Sequence, residues 1–205
     1  MAKKRRAVRV AKQAAPQKKM PVWIWFAIGG VVSILVVAGL FYLGFQGVSA
    51  GSSIEGLEFF PDSGRGHQEG EIDYGHDELP HGGVHSSAWQ NCGIYDEPIR
   101  EENAVHSLEH GAVWVAYQPD LAENQVEFLR DLVRQERRNR GESMVLLSPK
   151  ADLEAPIVAV AWRVQLILEN ASDPRLQEFL NVYQRGPFTP EPGAACTNGI
   201  GTPLN

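Results

Sequence analysis

The sequence predicts an α+β protein: a single N-terminal transmembrane helix followed by one extracytoplasmic domain with a mostly antiparallel sheet and two main helices. Three observations carry the prediction. Residues 22–45 contain no charged side chain. The later part of the chain runs strand, helix, strand, strand, helix, the pattern of helices layered on a sheet. Charge is split along the chain. The first 20 residues hold eight basic groups and no acidic one, whereas the other 11 Lys and Arg face all 25 Asp and Glu, a balance of −14. A basic head and an acidic body belong to two environments.

Residues 1–21 form a basic tail without apolar periodicity, the composition of a disordered segment. The apolar stretch 22–45 reaches about 36 Å as a helix, enough for a hydrocarbon core of about 30 Å. Trp23, Trp25 and Tyr42 lie towards its ends, where amphipathic rings favour the headgroup level. Lys and Arg precede it, so the N-terminus is expected in the cytoplasm and the rest outside. Val48-Ser49-Ala50 offers a cleavage site, but the apolar stretch exceeds a signal-peptide core of about 7–15 residues. The expected organisation is tail 1–21, transmembrane helix 22–45, linker 46–55 and extracytoplasmic domain 56–205. The lipid bilayer is the expected partner of 22–45, and in a structural or assembly role the same helix docks against a membrane protein.

From the linker to about Asn103 the chain has little periodicity and is dense in Gly, His, acidic residues and isolated aromatics. A bare loop of that length does not belong in a compact domain, so the segment is expected to pack as ordered irregular structure. Ala112–Tyr117 is apolar and rich in β-formers, hence a buried strand. Asp120 with Glu123 makes a capping pattern for a helix whose inner face is Leu121, Phe128, Leu129, Leu132 and Val133 and whose end is near Gly141. Met144–Leu147 is a second strand. Ile157–Leu168 is one strand or two, interrupted by Arg163. Asp173-Pro174 opens a second helix with Leu176, Phe179, Leu180 and Tyr183 inward, and Gly186-Pro187 stops it. A ferredoxin-like arrangement is one candidate. The Arg134, Arg137, Arg138 and Arg140 cluster reads as favourable charge at a helix C-terminus.

The chain has two cysteines, Cys92 and Cys196, both in the exported part, where one disulfide is the default. No C-x-x-C spacing exists, which disfavours a thioredoxin-type role.

All six histidines fall between His67 and His110. Imidazole is the commonest metal-binding side chain. His106 and His110, four apart, share one face of a helical turn, a spacing that can hold one ion between two rings. His85 or His81 is a candidate third ligand, and His67 or Glu109 a fourth. Each histidine also has a plainer role: His76 and His81 as solvated loop residues, His85 and His106 as donors to buried carbonyls. His106-x-x-Glu109-His110 matches the inverted zinc-protease signature, yet Gly111 and a strand follow at once, so the long helix that motif needs is missing. Three methionines and two bridged cysteines leave few soft donors, so Zn(II) or Cu(II) on nitrogen is the expected ion. The acidic body argues against nucleic acid.

Pro80-x-x-Gly83-x-His85, Trp89, Cys92-Gly93-x-Tyr95-x-x-Pro98, Val105-His-Ser-Leu-Glu-His-Gly-Ala-Val113 and Tyr117-x-Pro119 resemble the bacterial domain of unknown function 3105 family over about residues 56–190. The resemblance implies that His85, His106, Glu109 and His110, with His67 and Tyr95 more weakly, are the functional positions, and it leaves His76 and His81 outside. It also implies an N-terminal membrane helix, and it supplies no reaction.

The leading expectation is a membrane-anchored extracytoplasmic domain binding a transition metal through its histidines, for metal handling or sensing. The alternatives are a structural or assembly protein, with the same side chains in a buried hydrogen-bond network, and a metal-dependent hydrolase with Glu109 as base. No nucleophile triad, phosphate loop or carboxylate pair points to another enzyme class.

Overall fold

The computed structural model describes residues 21, 24, 29–37, 54–75 and 79–204. The chain divides into two compact units, Met1–Gln46 and Gly47–Asn205. In the first unit, residues 29–37 are helical (α1) and expose Val31, Val32, Ile34, Leu35, Val36 and Val37. Among the described residues no helix is long and apolar enough to cross a membrane. Most of the expected tail 1–21, span 22–45 and linker 46–55 lies outside the described residues.

The second unit is α+β. Its strands are β1 (Leu57–Phe59), β2 (Arg65–His67), β3 (Gly83–His85), β4 (Gly93–Ile94), β5 (Val113–Tyr117), β6 (Val145–Pro149), β7 (Ile157–Ala161) and β8 (Val164–Leu168). Its helices are α2 (Glu101–Glu109), α3 (Glu123–Arg140) and α4 (Pro174–Tyr183). Six strands form one sheet in the order β1-β8-β7-β5-β6-β4. The pairings β1–β8, β8–β7 and β7–β5 are antiparallel, and β5–β6 and β6–β4 are parallel. The sheet is therefore mostly antiparallel, as expected. A ferredoxin-like fold is not formed. That arrangement splits the two strands joined by a helix, whereas β5 and β6, joined by α3, are direct neighbours.

Alternation along the strands assigns side chains to two cores. Val113, Val115, Val145, Leu147, Ile157, Leu166 and Leu168 face Val126, Leu129 and Val133 of α3 and Leu176, Phe179 and Leu180 of α4. On the opposite face, Trp114, Ala116, Leu146, Val158 and Val160 meet Ala104, Val105 and Leu108 of α2, with Leu79, Tyr95, Leu153 and Trp162. Leu79 and Tyr95, from the irregular segment before α2, thus pack with that helix on this face of the sheet.

The helix ends follow local chemistry, with one departure. Asp173 caps α4, its carboxylate accepting from Arg175 N at 2.9 Å, and Pro174 takes the first turn. Gly141 ends α3 in the left-handed region at φ 79°. The expected capping pair Asp120 and Glu123 does not form: the N-cap of α3 is Ala122, without a side-chain hydrogen bond. Arg163, expected to interrupt the long β run, sits at φ 65° between β7 and β8 and makes them a hairpin.

The segment after α4 runs back across α2 as a strap. Arg185 N donates to Gly111 O (2.7 Å), Glu191 N to Glu109 O (3.0 Å), Cys92 N to Cys196 O (2.8 Å) and Ile200 N to Trp89 O (2.9 Å). Cys92 and Cys196 are bridged, with Cα atoms 5.3 Å apart across 104 residues of sequence. Close approach explains two glycines here. A Cβ at Gly111, which has φ 95°, would lie 2.9 Å from Arg185 Cα, and one at Gly199 would lie 2.3 Å from Trp89 O.

Candidate metal centre

Helix α2 is buried on both sides, and its two sides differ in chemistry. Ala104, Val105 and Leu108 belong to the sheet core, while Glu102, His106 and Glu109 are buried polar residues. His106 and Glu109, three apart, stand together on one helical face. Against α2 lies the parallel ladder of β2 and β3, whose register sets His67 directly opposite His85. The segment leading out of β3 is tied to α2 by Ser86 N, which donates to Glu102 O at 3.1 Å.

The result is a ring cluster. Ring centroids are 4.9 Å apart for His67 and His85, 5.1 Å for His67 and His106, and 4.9 Å for His85 and His106. His67, His85, His106 and Glu109 each offer one ligand atom, and those atoms all lie within 4.8 Å of one another. His67 is exposed and the other three are buried, so the group has a solvent side and a closed side.

Main-chain oxygens orient the rings. His85 Nδ1 meets Gly83 O at 2.8 Å, and His106 Nδ1 meets Ser86 O at 2.7 Å. A carbonyl only accepts, so Nδ1 carries a proton, and the neutral form of either ring has its lone pair on Nε2. Metal-ligating histidines are oriented in this way. His85 Nε2 is fully buried and has no aligned hydrogen bond, and it lies 3.0 Å from Glu109 Oε2. A tetrahedral ion with bonds of about 2.0–2.1 Å holds its ligand atoms about 3.3 Å apart, close to that contact.

Burial pushes the His106 pKa down to about 4; the Ser86 carbonyl opposes this, and nearby His110, His85 and His67 add to the lowering. At neutral pH His106 is therefore uncharged, the form that binds metal.

His110 caps α2 just beyond Glu109 and stands beside the group rather than in it. Its ring centroid is 4.6 Å from that of His106, its Nδ1 meets Ala195 O at 2.7 Å, and its Nε2 is 3.6 Å from Glu191 Oε2. Of the i, i+4 pair, His106 is in the group within 4.8 Å, while His110 is outside it and bonded to the strap carbonyl of Ala195. Trp89 lies against both rings, its centroid 5.6 Å from His106 and 5.0 Å from His110.

Residues 67–198 match the family described as Protein of unknown function (DUF3105). The chain belongs to this family. The matched region begins at His67 and holds the whole cluster and the strap as far as Asn198, so the site lies inside the part that DUF3105 members share. No curated protein and no solved structure matches the DUF3105 chain.

The remaining sequence candidates fall elsewhere. His81 stacks on Phe60 with centroids 3.5 Å apart, and its carbonyl accepts from Arg163 N at 2.7 Å. The Tyr95 hydroxyl donates to Asn91 O at 2.6 Å, beneath the strap. His76 lies outside the described residues. Glu191 was not expected from the sequence. Its neighbour Pro192 and the surrounding Gly and Thr read only as loop, and no spacing rule links it to His110.

Proposed function

We propose that this protein binds a divalent transition metal, Zn(II) or Cu(II), through His67, His85, His106 and Glu109, on the outer side of a membrane that its N-terminal segment anchors. One observation supports this reading above the others. The fully buried His85 Nε2 faces the Glu109 carboxylate without an aligned hydrogen bond, while its Nδ1 is already committed to Gly83 O. A buried polar atom left in that state is costly, and an ion bound by both groups removes the cost.

Three nitrogens and a carboxylate oxygen suit zinc, or copper in its divalent state. No free thiolate is at hand, since both cysteines are bridged. The exposed His67 gives the ion a route in and out, which fits capture and release of metal better than a permanently sealed structural site.

A second reading rests on the same ring. Both nitrogens of His85 face acceptors, so a protonated imidazolium between Gly83 O and Glu109 also satisfies them. The cluster is then a buried hydrogen-bond network that stiffens α2 against β3, and the protein is an assembly element.

Elemental analysis of the untagged full-length protein, purified in detergent without chelator and then dialysed against zinc or copper, separates the two. Metal binding gives at least one tightly held ion per chain, lost in His85→Gln and in His106→Ala. A folded protein that holds no metal in either bath, with a nitrogen NMR signature of protonated Nε2 on His85, leaves the network reading.

A further inference from the structure

The strap repeats the wiring of the inner site around His110, and this repetition is not explained by the four-ligand group. His110 Nδ1 is held by Ala195 O, so its lone pair is on Nε2, as in His85 and His106. That Nε2 belongs to a side chain only 6% exposed and faces Glu191 Oε2 at 3.6 Å, too far for a hydrogen bond. The separation is near the spacing, about 3.3 Å, of two ligand atoms on one tetrahedral ion. The Glu191 carboxylate is not there by chance of a mobile loop. Glu191 N donates to Glu109 O at 3.0 Å, and Cys196, one residue past the Ala195 carbonyl, is bonded to Cys92. The backbone that places both partners of His110 is therefore fixed at two points.

The geometry points to a second, weaker cation station formed by His110 and Glu191, placed beside the inner group and taking the same class of ion. The inference rests on the inner site being a metal site. With two protein ligands the remaining positions belong to water, so the station is weaker than the inner one and open to solvent through Glu191, which is 51% exposed. His106 stands between the two stations, its ring 4.9 Å from His85 and 4.6 Å from His110. Since its Nδ1 is spent on Ser86 O, it has one nitrogen to give and cannot bridge two ions at once. Ser86 O therefore fixes which way that nitrogen faces, and the outer station rests on His110 and Glu191 without it.

The test is a calorimetric titration of zinc chloride into the untagged full-length protein, stripped of metal first. The wild type is expected to show two binding events of different affinity. Glu191→Gln and His110→Gln, both near-isosteric, are each expected to weaken the second event about tenfold or more, a loss seen even for groups that merely orient a ligand, while the tighter event persists. A single event in the wild type overturns the second station and leaves the inner site standing. Weakening of the tighter event in His110→Gln overturns it also, by making His110 an inner ligand. No binding at all removes the inner site and the station together.

Discussion

At the scale of the residue, the site turns on which nitrogen of each ring is free. Main-chain carbonyls of Gly83, Ser86 and Ala195 hold Nδ1 of His85, His106 and His110. Replacement of Glu109 by Gln keeps the volume and removes the charge beside His85 Nε2. The expected outcome is zinc affinity lower by about 10–100-fold, measured by competition with a chelating dye. His106 makes a separate prediction in acid. Its pKa is near 4 in the folded protein and 6.5 unfolded. Between those values the unfolded chain binds more protons, so metal-free stability is complete above pH 6.5 and falls as pH drops towards 4. Urea midpoints across that window should fall less steeply for His106→Gln than for the wild type. Parallel slopes would show that His106 is not held neutral. Of these residue-level facts the sequence showed the histidines, Glu109, and His85 and His106 as donors to buried carbonyls, but not which carbonyls. The carbonyls that orient them carry no signature, because any residue type supplies one.

The elements differ in how openly their sequences announce them. Helices α3 and α4 and strands β5 to β8 have one apolar face or are apolar throughout, so period and composition find them. Helix α2 does not read this way. Its outer row, Glu102, His106 and Glu109, is polar yet buried, so the apolar stripe that marks a helix is only half there. Strands β2, β3 and β4 are two or three residues long, too short for alternation to show. What ends α2 is clear once the strap is seen: Gly111 must be glycine because its φ is 95° and the Arg185 backbone passes within 2.9 Å of where a Cβ would be. Gly111→Ala should cost about 1–3 kcal/mol, from left-handed strain with a backbone clash. Equilibrium urea unfolding checks it, with Gly141→Ala as the control for left-handed strain without a clash, since nothing lies near a Cβ there.

For the whole molecule, the Cys92–Cys196 bridge joins the irregular segment before α2 to the strap after α4. Counting two cysteines in a chain expected outside the cytoplasm was enough to expect it; that it frames the histidine site was not legible, since Ala195 and Glu191 meet His110 only through tertiary contact. In the chain-entropy picture, closing so long a loop stabilises by up to about 4.7 kcal/mol. Cys92→Ser with Cys196→Ser should lower stability by about 2–5 kcal/mol, seen as an earlier urea midpoint. A midpoint that does not move would mean that the strap holds without its bridge. The double-sided burial of α2 has one more consequence. The row that carries His106 and Glu109 cannot swing outward unless the row that carries Val105 and Leu108 leaves the sheet. Amide protons in the middle of this nine-residue helix should then exchange with deuterium as slowly as those of β5, on the clock of core breathing rather than that of loop motion.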